Sequence, residues 1–296
     1  MTRATGTPAA RGDNSPLTSR IDENHPGALA DLAERTARLA GDMLSSRRSA
    51  VLADPSNITA KGSATDLVTA LDRESEALIR NQIAAERPSH RFIGEESAGV
   101  ETVSSGADGE LTWIVDPIDG TTNFVRGYPM WCVSIAVWDG AGPLAAAVFI
   151  PTLAEMYTAV RGGGARCNGE TIGCSNPTSL GSIILATGFS YSPERRAEQV
   201  SGLATVMSDI ADVRRSGSAA ADLCFVAAGR VDFYVEGPLS VWDFAAGQLI
   251  ASEAGALVET VAVPRLGPHV YGVSAGSPAA WDLGGDRLAT ACGLTD

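Results

Sequence analysis

The run Trp113-Ile114-Val115-Asp116-Pro117-Ile118-Asp119-Gly120-Thr121-Thr122-Asn123-Phe124 decides how this chain is read. Trp113 to Val115 is apolar and has the character of a buried strand. Two carboxylates three residues apart, Asp116 and Asp119, follow it. Pro117 disfavours helical geometry at Asp116, so no helix runs through the pair. The expectation is a tight turn at a strand end with both acids facing one space. A short helix then starts at the Gly-Thr-Thr-Asn step. Two unpaired negative charges in a cleft resist ionising, and the usual remedy is a divalent cation.

More acids lie outside that run. Arg91-Phe92-Ile93-Gly94-Glu95-Glu96-Ser97 is a short apolar strand running into adjacent carboxylates. Asp72 closes the stretch from Asp66, and Asp243 sits in Val241-Trp242-Asp243-Phe244-Ala245-Ala246-Gly247. Hard oxygen donors without a nearby His or Cys suit Mg²⁺ or Mn²⁺ and not zinc or copper. Asp72 and Asp243 each also stand where a helix begins, so the residues alone leave N-cap and ligand open for both. Glu96 reads as a support for Glu95. Trp242 reads as a core aromatic that fixes a helix start.

Composition narrows the classes. The chain has 296 residues, 45% hydrophobic, enough for a large core, and a net charge of −13. That charge argues against nucleic-acid binding, which needs clustered Lys and Arg. An anionic substrate remains compatible, because bound cations reverse the field locally. The five cysteines are scattered without a CxxC, which favours a reducing compartment over a disulfide framework or zinc site. His25, His90 and His269 are isolated and read as surface or loop residues. No apolar run is long enough to span a membrane, and no secretory h-region precedes Pro26. The expected location is cytoplasmic.

Along the chain, residues 1–26 read as a disordered tail. Leu29, Leu32, Thr36, Leu39 and Met43 recur at helical spacing over Gly27 to Leu52. A second helix runs over Asp72 to Ala85 with Leu78, Ile79 and Ile83 inward. Residues Ala98 to Glu110 read as a flexible loop. Cys132 to Trp138, Leu144 to Ile150 and Glu155 to Val160 read as a strand meander, and Arg161-Gly162-Gly163-Gly164 as the turn leaving it. From Ser182 strands and helices alternate: strands at 182–186, 213, 231–235 and 256–259, helices at 193–207, 218–228 and 241–254. The mixture is that of a layered α/β protein.

These motifs resemble the inositol monophosphatase family of metal-dependent, lithium-sensitive phosphatases. The matching pieces are Lys61 with Asp66 to Asp72, Gly94 to Ser97, Trp113 to Phe124, Gly217-Ser218-Ala219-Ala220, and Glu236 through Asp243 to Gly247. The resemblance implies a five-layer αβαβα sandwich, with one half at 27–180 and the other at 181–296, and an active site between them. It implies two to three Mg²⁺, or Mn²⁺, per site. The first would use Glu95, Asp116 and the carbonyl of Ile118; the second Asp116, Asp119 and Asp243; a third would lie near Glu95, with Asp72 and Lys61 close by. Thr121, with Glu95, would activate water, and backbone N–H groups of Gly120 and Thr121 would hold phosphate. Asp119, Gly217, Ser218, Ala219, Glu236 and Asp243 would face the substrate, although Glu236 by itself reads equally as a loop acid.

The implied reaction is hydrolysis of a small phosphorylated polyol, inositol 1-phosphate first, by a cytoplasmic homodimer. Thr122-Asn123 resembles the inositol phosphatase form. Nucleotide phosphatases of the superfamily more often carry Lys-Gly after the first Thr, and histidinol phosphatases often carry Lys at position 122. Histidinol phosphatase and fructose 1,6-bisphosphatase remain the alternatives on this scaffold. A non-catalytic regulatory binding protein is the alternative of another class. Val261 to Ser274 lacks the Gly-Gly-rich turn of many members, which leaves the last strands unassigned.

Overall fold

The structure is a computed structural model that describes residues 23–53, 58–60, 67–97 and 110–293. Lys61, Asp66, nearly all of the 1–26 segment and the 98–109 loop lie outside the described residues. In chain order the elements are α1 (Pro26–Leu52), β1 (Ile58–Ala60), β2 (Leu67–Thr69), α2 (Ala70–Glu86), β3 (Arg91–Gly94), β4 (Thr112–Asp119), α3 (Thr121–Arg126), β5 (Cys132–Asp139), β6 (Gly142–Ile150), β7 (Glu155–Val160), β8 (Gly164–Cys167) and β9 (Glu170–Thr171). They continue with β10 (Ile184–Thr187), α4 (Pro193–Ala204), β11 (Asp212–Arg214), α5 (Ala219–Ala227), β12 (Phe233–Leu239), α6 (Val241–Glu253), β13 (Leu257–Ala262), β14 (Tyr271–Gly276) and α7 (Pro278–Ala291).

Two large sheets carry the architecture. The first has seven strands in the order β3-β4-β5-β6-β7-β8-β9, antiparallel throughout except for the parallel β3–β4 pair. The second has five, ordered β11-β10-β12-β14-β13, with β10 parallel to both of its neighbours. A strand turns alternate residues to opposite faces, and here each face meets its own helix layer. On β5, Val133, Ile135 and Val137 pack toward α1 and α2, while Cys132 and Ala136 pack toward α5 and α6. On β12, Tyr234 joins that same middle core, while Phe233 and Val235 pack toward α4 and α7. Three cores thus separate five layers: α1/α2, the seven-stranded sheet, α5/α6, the five-stranded sheet, and α4/α7. α5 and α6 are apolar on nearly every face because each lies between two sheets.

Several local expectations are corrected. β4 does not end before its acids: it runs through Asp119, and its register with β5 slips between Asp116 and Asp119. Asp116 and Asp119 therefore lie on a bulged strand and not on a tight turn, because Pro117 can sit in a strand where no ladder N–H is required of it. On α1 the buried stripe is Leu29, Leu32, Ala33, Thr36, Ala37, Ala40 and Leu44, whereas Leu39 is 45% exposed and Met43 half-buried. Small side chains are what let the first sheet approach α1, since a Cβ on Gly41 would stand 2.8 Å from Phe149 Cε1. The meander continues past Gly164 into β8 and β9. The strand expected at 256–259 runs on to Ala262 as β13, and it pairs with β14, which the sequence left unassigned, in register from Leu257–Gly276 to Ala262–Tyr271.

Candidate active site

The apolar face of α2 is interrupted by polar residues. Leu71, Ile79 and Ile83 are buried, but so are Asp72, Ser75 and Glu76 between them, at i, i+3 and i+4. These three reach the ends of β3 and β4. Ser75 Oγ donates to the Pro117 carbonyl at 3.3 Å. The Glu76 carboxylate accepts the Glu96 N–H at 2.8 Å, packed where a Cβ on Gly94 would collide with it, and so fixes the Glu95-Glu96 step. Asp72 accepts the Thr121 hydroxyl at 3.1 Å, and the Ile118 carbonyl lies 3.0 Å from that hydroxyl. Asp72 is the third residue of α2, fully buried, and is not its N-cap.

Gly120 opens α3 in the left-handed region, φ 92°, and an added Cβ would stand 2.9 Å from the Met130 carbonyl. Only glycine meets both demands. Asn123 is a cross-brace: its Nδ2 donates toward the carbonyls of Met130 (2.6 Å), Ser216 (2.9 Å) and Gly217 (3.3 Å).

Each aspartate at the centre has one oxygen tied down. Asp116 Oδ1 accepts the Ile118 N–H at 3.0 Å. Asp119 Oδ2 accepts from Ser218 Oγ (2.6 Å), the Ala220 N–H (2.8 Å) and Cys132 Sγ (3.6 Å), which moors it at the start of α5. Asp243 is the third residue of α6, and its Oδ2 accepts the Ser240 N–H at 2.6 Å in a reciprocal capping box. Asp243 therefore caps its helix and borders the cleft at once; the two readings of this residue do not compete.

Glu95, Asp116, Ile118, Asp119, Gly120, Thr121, Gly217, Ala219, Glu236 and Asp243 all line one cleft of about 520 Å³. Ser218 is buried behind it, holding Asp119, and Asp72 lies behind Thr121. Trp242 is only half-buried and lines the cleft as well as packing on the middle core, which corrects its reading as a core residue alone. Glu236 accepts the Tyr234 hydroxyl at 3.0 Å, and its carboxylate occupies the space that a side chain at Gly188 would fill.

The electrostatics follow from this crowding. Burial first, and then the charges of Glu95, Asp119 and Asp243, push the Asp116 carboxyl far above the ordinary range. Asp243 is raised by burial, then by Asp119 and Glu95. Burial raises Asp119 too, against the hydrogen bonds from Ser218 and Ala220 that favour its charged form. Burial lifts Glu236 to about 7, opposed by Arg215. Among the described residues no Lys or Arg forms an ion pair with Asp116, Asp119 or Asp243.

A hard divalent cation fits this donor set, because it would relieve the repulsion and takes oxygen ligands. Among the described residues no three His, Cys, Asp or Glu side chains are already drawn around one point. Mg²⁺ keeps several waters and does not need such a cage.

Motif reading from the sequence passed over Glu76, Asp222 and Arg215. Glu76 was detectable as an acid on the buried stripe of α2. Asp222 is buried within the apolar α5, accepts the Ser216 hydroxyl at 2.6 Å, and through it steadies the Ser216–Ser218 turn. No sequence signal marked Arg215.

Layered fold and cleft together define the class: an αβαβα sandwich with a cluster of buried carboxylates bordering one open cleft. The chain belongs to the inositol monophosphatase family, whose sequence profile matches residues 27–290. The inositol-1-monophosphatase of Mycobacterium bovis is 40% identical over 270 residues, covering 88% of this chain and 93% of its own length. A relative named Nus factor SuhB, from Vibrio cholerae, is 43% identical over 235 residues, covering 79% and 85%. The solved structure of Mycobacterium tuberculosis SuhB matches with a TM-score of 0.76 at 36% identity, covering 92% of this chain and all of that one, 100%.

Proposed function

We propose that this chain is a Mg²⁺-dependent phosphomonoester hydrolase acting on a small phosphorylated polyol, with inositol 1-phosphate the first candidate. The observation that carries the reading is Asp116: nearly fully buried, facing three further carboxylates, and bordering an open cleft. Glu95, Asp116 and the Ile118 carbonyl would hold one Mg²⁺; Asp116, Asp119 and Asp243 a second; a third would lie near Glu95 with Asp72 beyond it. Mn²⁺ suits the same donors. Bound there, the ions neutralise the carboxylates and make nearby water more acidic.

The chain supplies the rest. Thr121, aligned by Asp72 and Ile118, and Glu95 orient the attacking water and accept its proton. The water oxygen bonds to phosphorus as the ester P–O bond breaks, and the alcohol leaves with a proton. Gly120 and Thr121 hold the phosphate through their N–H groups. Glu236 accepts hydrogen bonds from polyol hydroxyls, beside Asp119, Gly217, Ala219 and Asp243. Ser218 serves the same subsite, at least by holding Asp119 in place. A substrate lacking those hydroxyls would leave buried polar groups unpaired.

The test is phosphate release with Mg²⁺, with and without Li⁺, from inositol 1-phosphate, histidinol phosphate, fructose 1,6-bisphosphate and 3′-phosphoadenosine 5′-phosphate, with Asp116→Asn as control. Mg²⁺-dependent turnover that the control lacks supports the reading, and the fastest substrate names the branch. We place the enzyme in the cytoplasm as a homodimer, which sedimentation of the purified chain checks. No helix among the described residues is long and apolar enough to cross a membrane. The Vibrio relative's name favours one second reading, a chain that binds a macromolecule without catalysis. Absence of release from every panel member would turn the assignment that way.

A further inference from the structure

The buried residues of α4 are Gln199 and Leu203, four apart on one face of the helix. Leu203 joins the core that also holds Leu288 and Ala289 of α7. A glutamine on that same face, 7% exposed, costs free energy to bury unless its amide is fully partnered. It is partnered at both atoms. Gln199 Oε1 accepts the Ser190 N–H at 2.8 Å, and its Nε2 donates to the Gly237 carbonyl at 2.7 Å. A side-chain amide carries an acceptor and a donor side by side, which is what one backbone N–H and one backbone carbonyl require.

The two partners belong to different elements. Ser190 lies on the connection between β10 and α4, and Gly237 follows Glu236 on β12, 38 positions after Gln199. The register of β12 with β14 slips between Glu236 and Leu239, so the amide bonds the strand where its ladder is interrupted. Phe189, Ser190 and Tyr191 form one wall of the carboxylate cleft, and Glu236 and Pro238 form another; Gln199 stands behind both. Ser190 is held a second time, because Arg196, one turn earlier on α4, donates from Nη1 to its carbonyl at 3.0 Å. Both backbone groups of Ser190 are thus bonded to α4, and Gln199 carries the connection on to β12.

We infer that Gln199 sets the spacing of these two walls and thereby the selectivity for polyol esters, as a positioning residue that acts through Glu236. The inference rests on the hydrolase reading, in which Glu236 accepts hydrogen bonds from polyol hydroxyls. Such bonds weaken steeply as their geometry departs from the optimum. The acids at the other end of the cleft are held by contacts of their own: Asp116 by the Ile118 N–H, Asp119 by Ser218 and Asp243 by the Ser240 N–H. Loss of the Gln199 amide therefore loosens the polyol end and leaves the phosphate end in place.

The experiment compares two esters on the unmutated chain and on Gln199→Met, which keeps the length of the side chain and removes both hydrogen bonds. Inositol 1-phosphate offers vicinal hydroxyls to Glu236, and p-nitrophenyl phosphate offers none. KM for inositol 1-phosphate is expected to rise about tenfold with kcat held within about twofold, while both constants for p-nitrophenyl phosphate stay within about twofold. On Glu236→Gln protein, Gln199→Met is expected to add less than about threefold, because the two substitutions disturb one contact. An equal loss on both esters, no change on either, or full multiplication of the two effects in the double variant overturns the inference. Where Gln199→Met gives no folded protein by circular dichroism, Gln199→Asn, whose amide is one methylene too short to reach both partners, is read by the same criteria. Hydrolysis of p-nitrophenyl phosphate alone keeps the hydrolase and removes the inference. If the unmutated chain hydrolyses neither ester, the hydrolase reading falls, and calorimetry with inositol 1-phosphate decides the clamp. Binding weakened about tenfold by Gln199→Met keeps it; equal binding, or none by the unmutated chain, overturns it.

Discussion

Ser218 Oγ stands 2.6 Å from the Asp119 carboxylate, 99 positions earlier in the chain. A residue at the start of α5 therefore fixes the orientation of an acid on β4, and the site is built only when the two sheets share their middle helical layer. Ser218→Ala leaves Asp119 with the Ala219 and Ala220 N–H groups and the weak Cys132 thiol as donors. Loss of such an outer partner typically costs about 10–100-fold in metal affinity. The expected result is a Mg²⁺ concentration for half-maximal activity raised by about tenfold or more. A rate titrated with Mg²⁺ checks it, and an unchanged midpoint would count against Asp119 as a ligand.

Asp116 is held in place at a cost to the fold. Its carboxylate is repelled by Glu95, Asp119 and Asp243. Asp116→Asn removes one of the charges without changing shape. In metal-free buffer the variant is expected to melt a few degrees higher than the unmutated chain, for a gain of roughly 1–3 kcal/mol, while activity falls below detection. Mg²⁺ is expected to raise the melting temperature of the unmutated chain more than that of the variant. Thermal scans with EDTA and with Mg²⁺ decide this, and a lower melting temperature for the metal-free variant would contradict it.

Gly188 gives its side-chain space to Glu236. Gly188→Ala pushes the Glu236 carboxylate aside, with an overpacking cost of about 1–3 kcal/mol. KM for the polyol phosphate is expected to rise about tenfold or more, with kcat reduced less, because the proposed cation ligands lie on other elements. Steady-state kinetics separate the two, and a loss confined to kcat would place Glu236 in another role.

His90 is not a simple surface residue. Trp113 Nε1 donates to His90 Nδ1 at 3.0 Å, and burial, followed by the Arg87 charge, lowers the imidazole pKa from 6.5. The fold therefore favours neutral imidazole. The unfolded chain takes up a proton first as pH falls, so stability is fully present above about 6.5 and is lost as pH drops through the lower folded value. Denaturant melts from pH 7.5 to 5, followed by tryptophan fluorescence, are expected to show this decline, and His90→Gln to show a shallower one.

Much of the fold was legible because it is written in alternation. Val133, Ile135 and Val137 against Cys132 and Ala136 is a period-two pattern with both faces apolar, and such a strand needs helices on either side. Asp116 and Asp119 were legible as a pair facing one space, but the turn expected at Pro117 is a bulge within β4, because an added residue can be taken up in a strand without ending it. What sequence periodicity missed shares one cause. Leu39 turned outward because alanines and Gly41 let α1 pack along a neighbouring stripe, and close packing of small residues leaves little hydrophobic signal. Glu76 and Asp222 were hidden because a buried acid is specified by donors far away in sequence, the Glu96 N–H and the Ser216 hydroxyl.

Glu95, Asp116, Asp119 and Asp243 come from β4, the end of β3 and the first turn of α6, whereas Phe189, Ser190 and Tyr191, which line the same cleft, belong to the connection between β10 and α4. Reagent and key are thus encoded in different stretches of the gene. A lineage could reshape that wall of the cleft by rewriting residues 188–191 while leaving Glu95, Asp116, Asp119 and Asp243 untouched. The same separation makes that connection the place to graft new selectivity while the carboxylates of the proposed hydrolytic centre stay as they are.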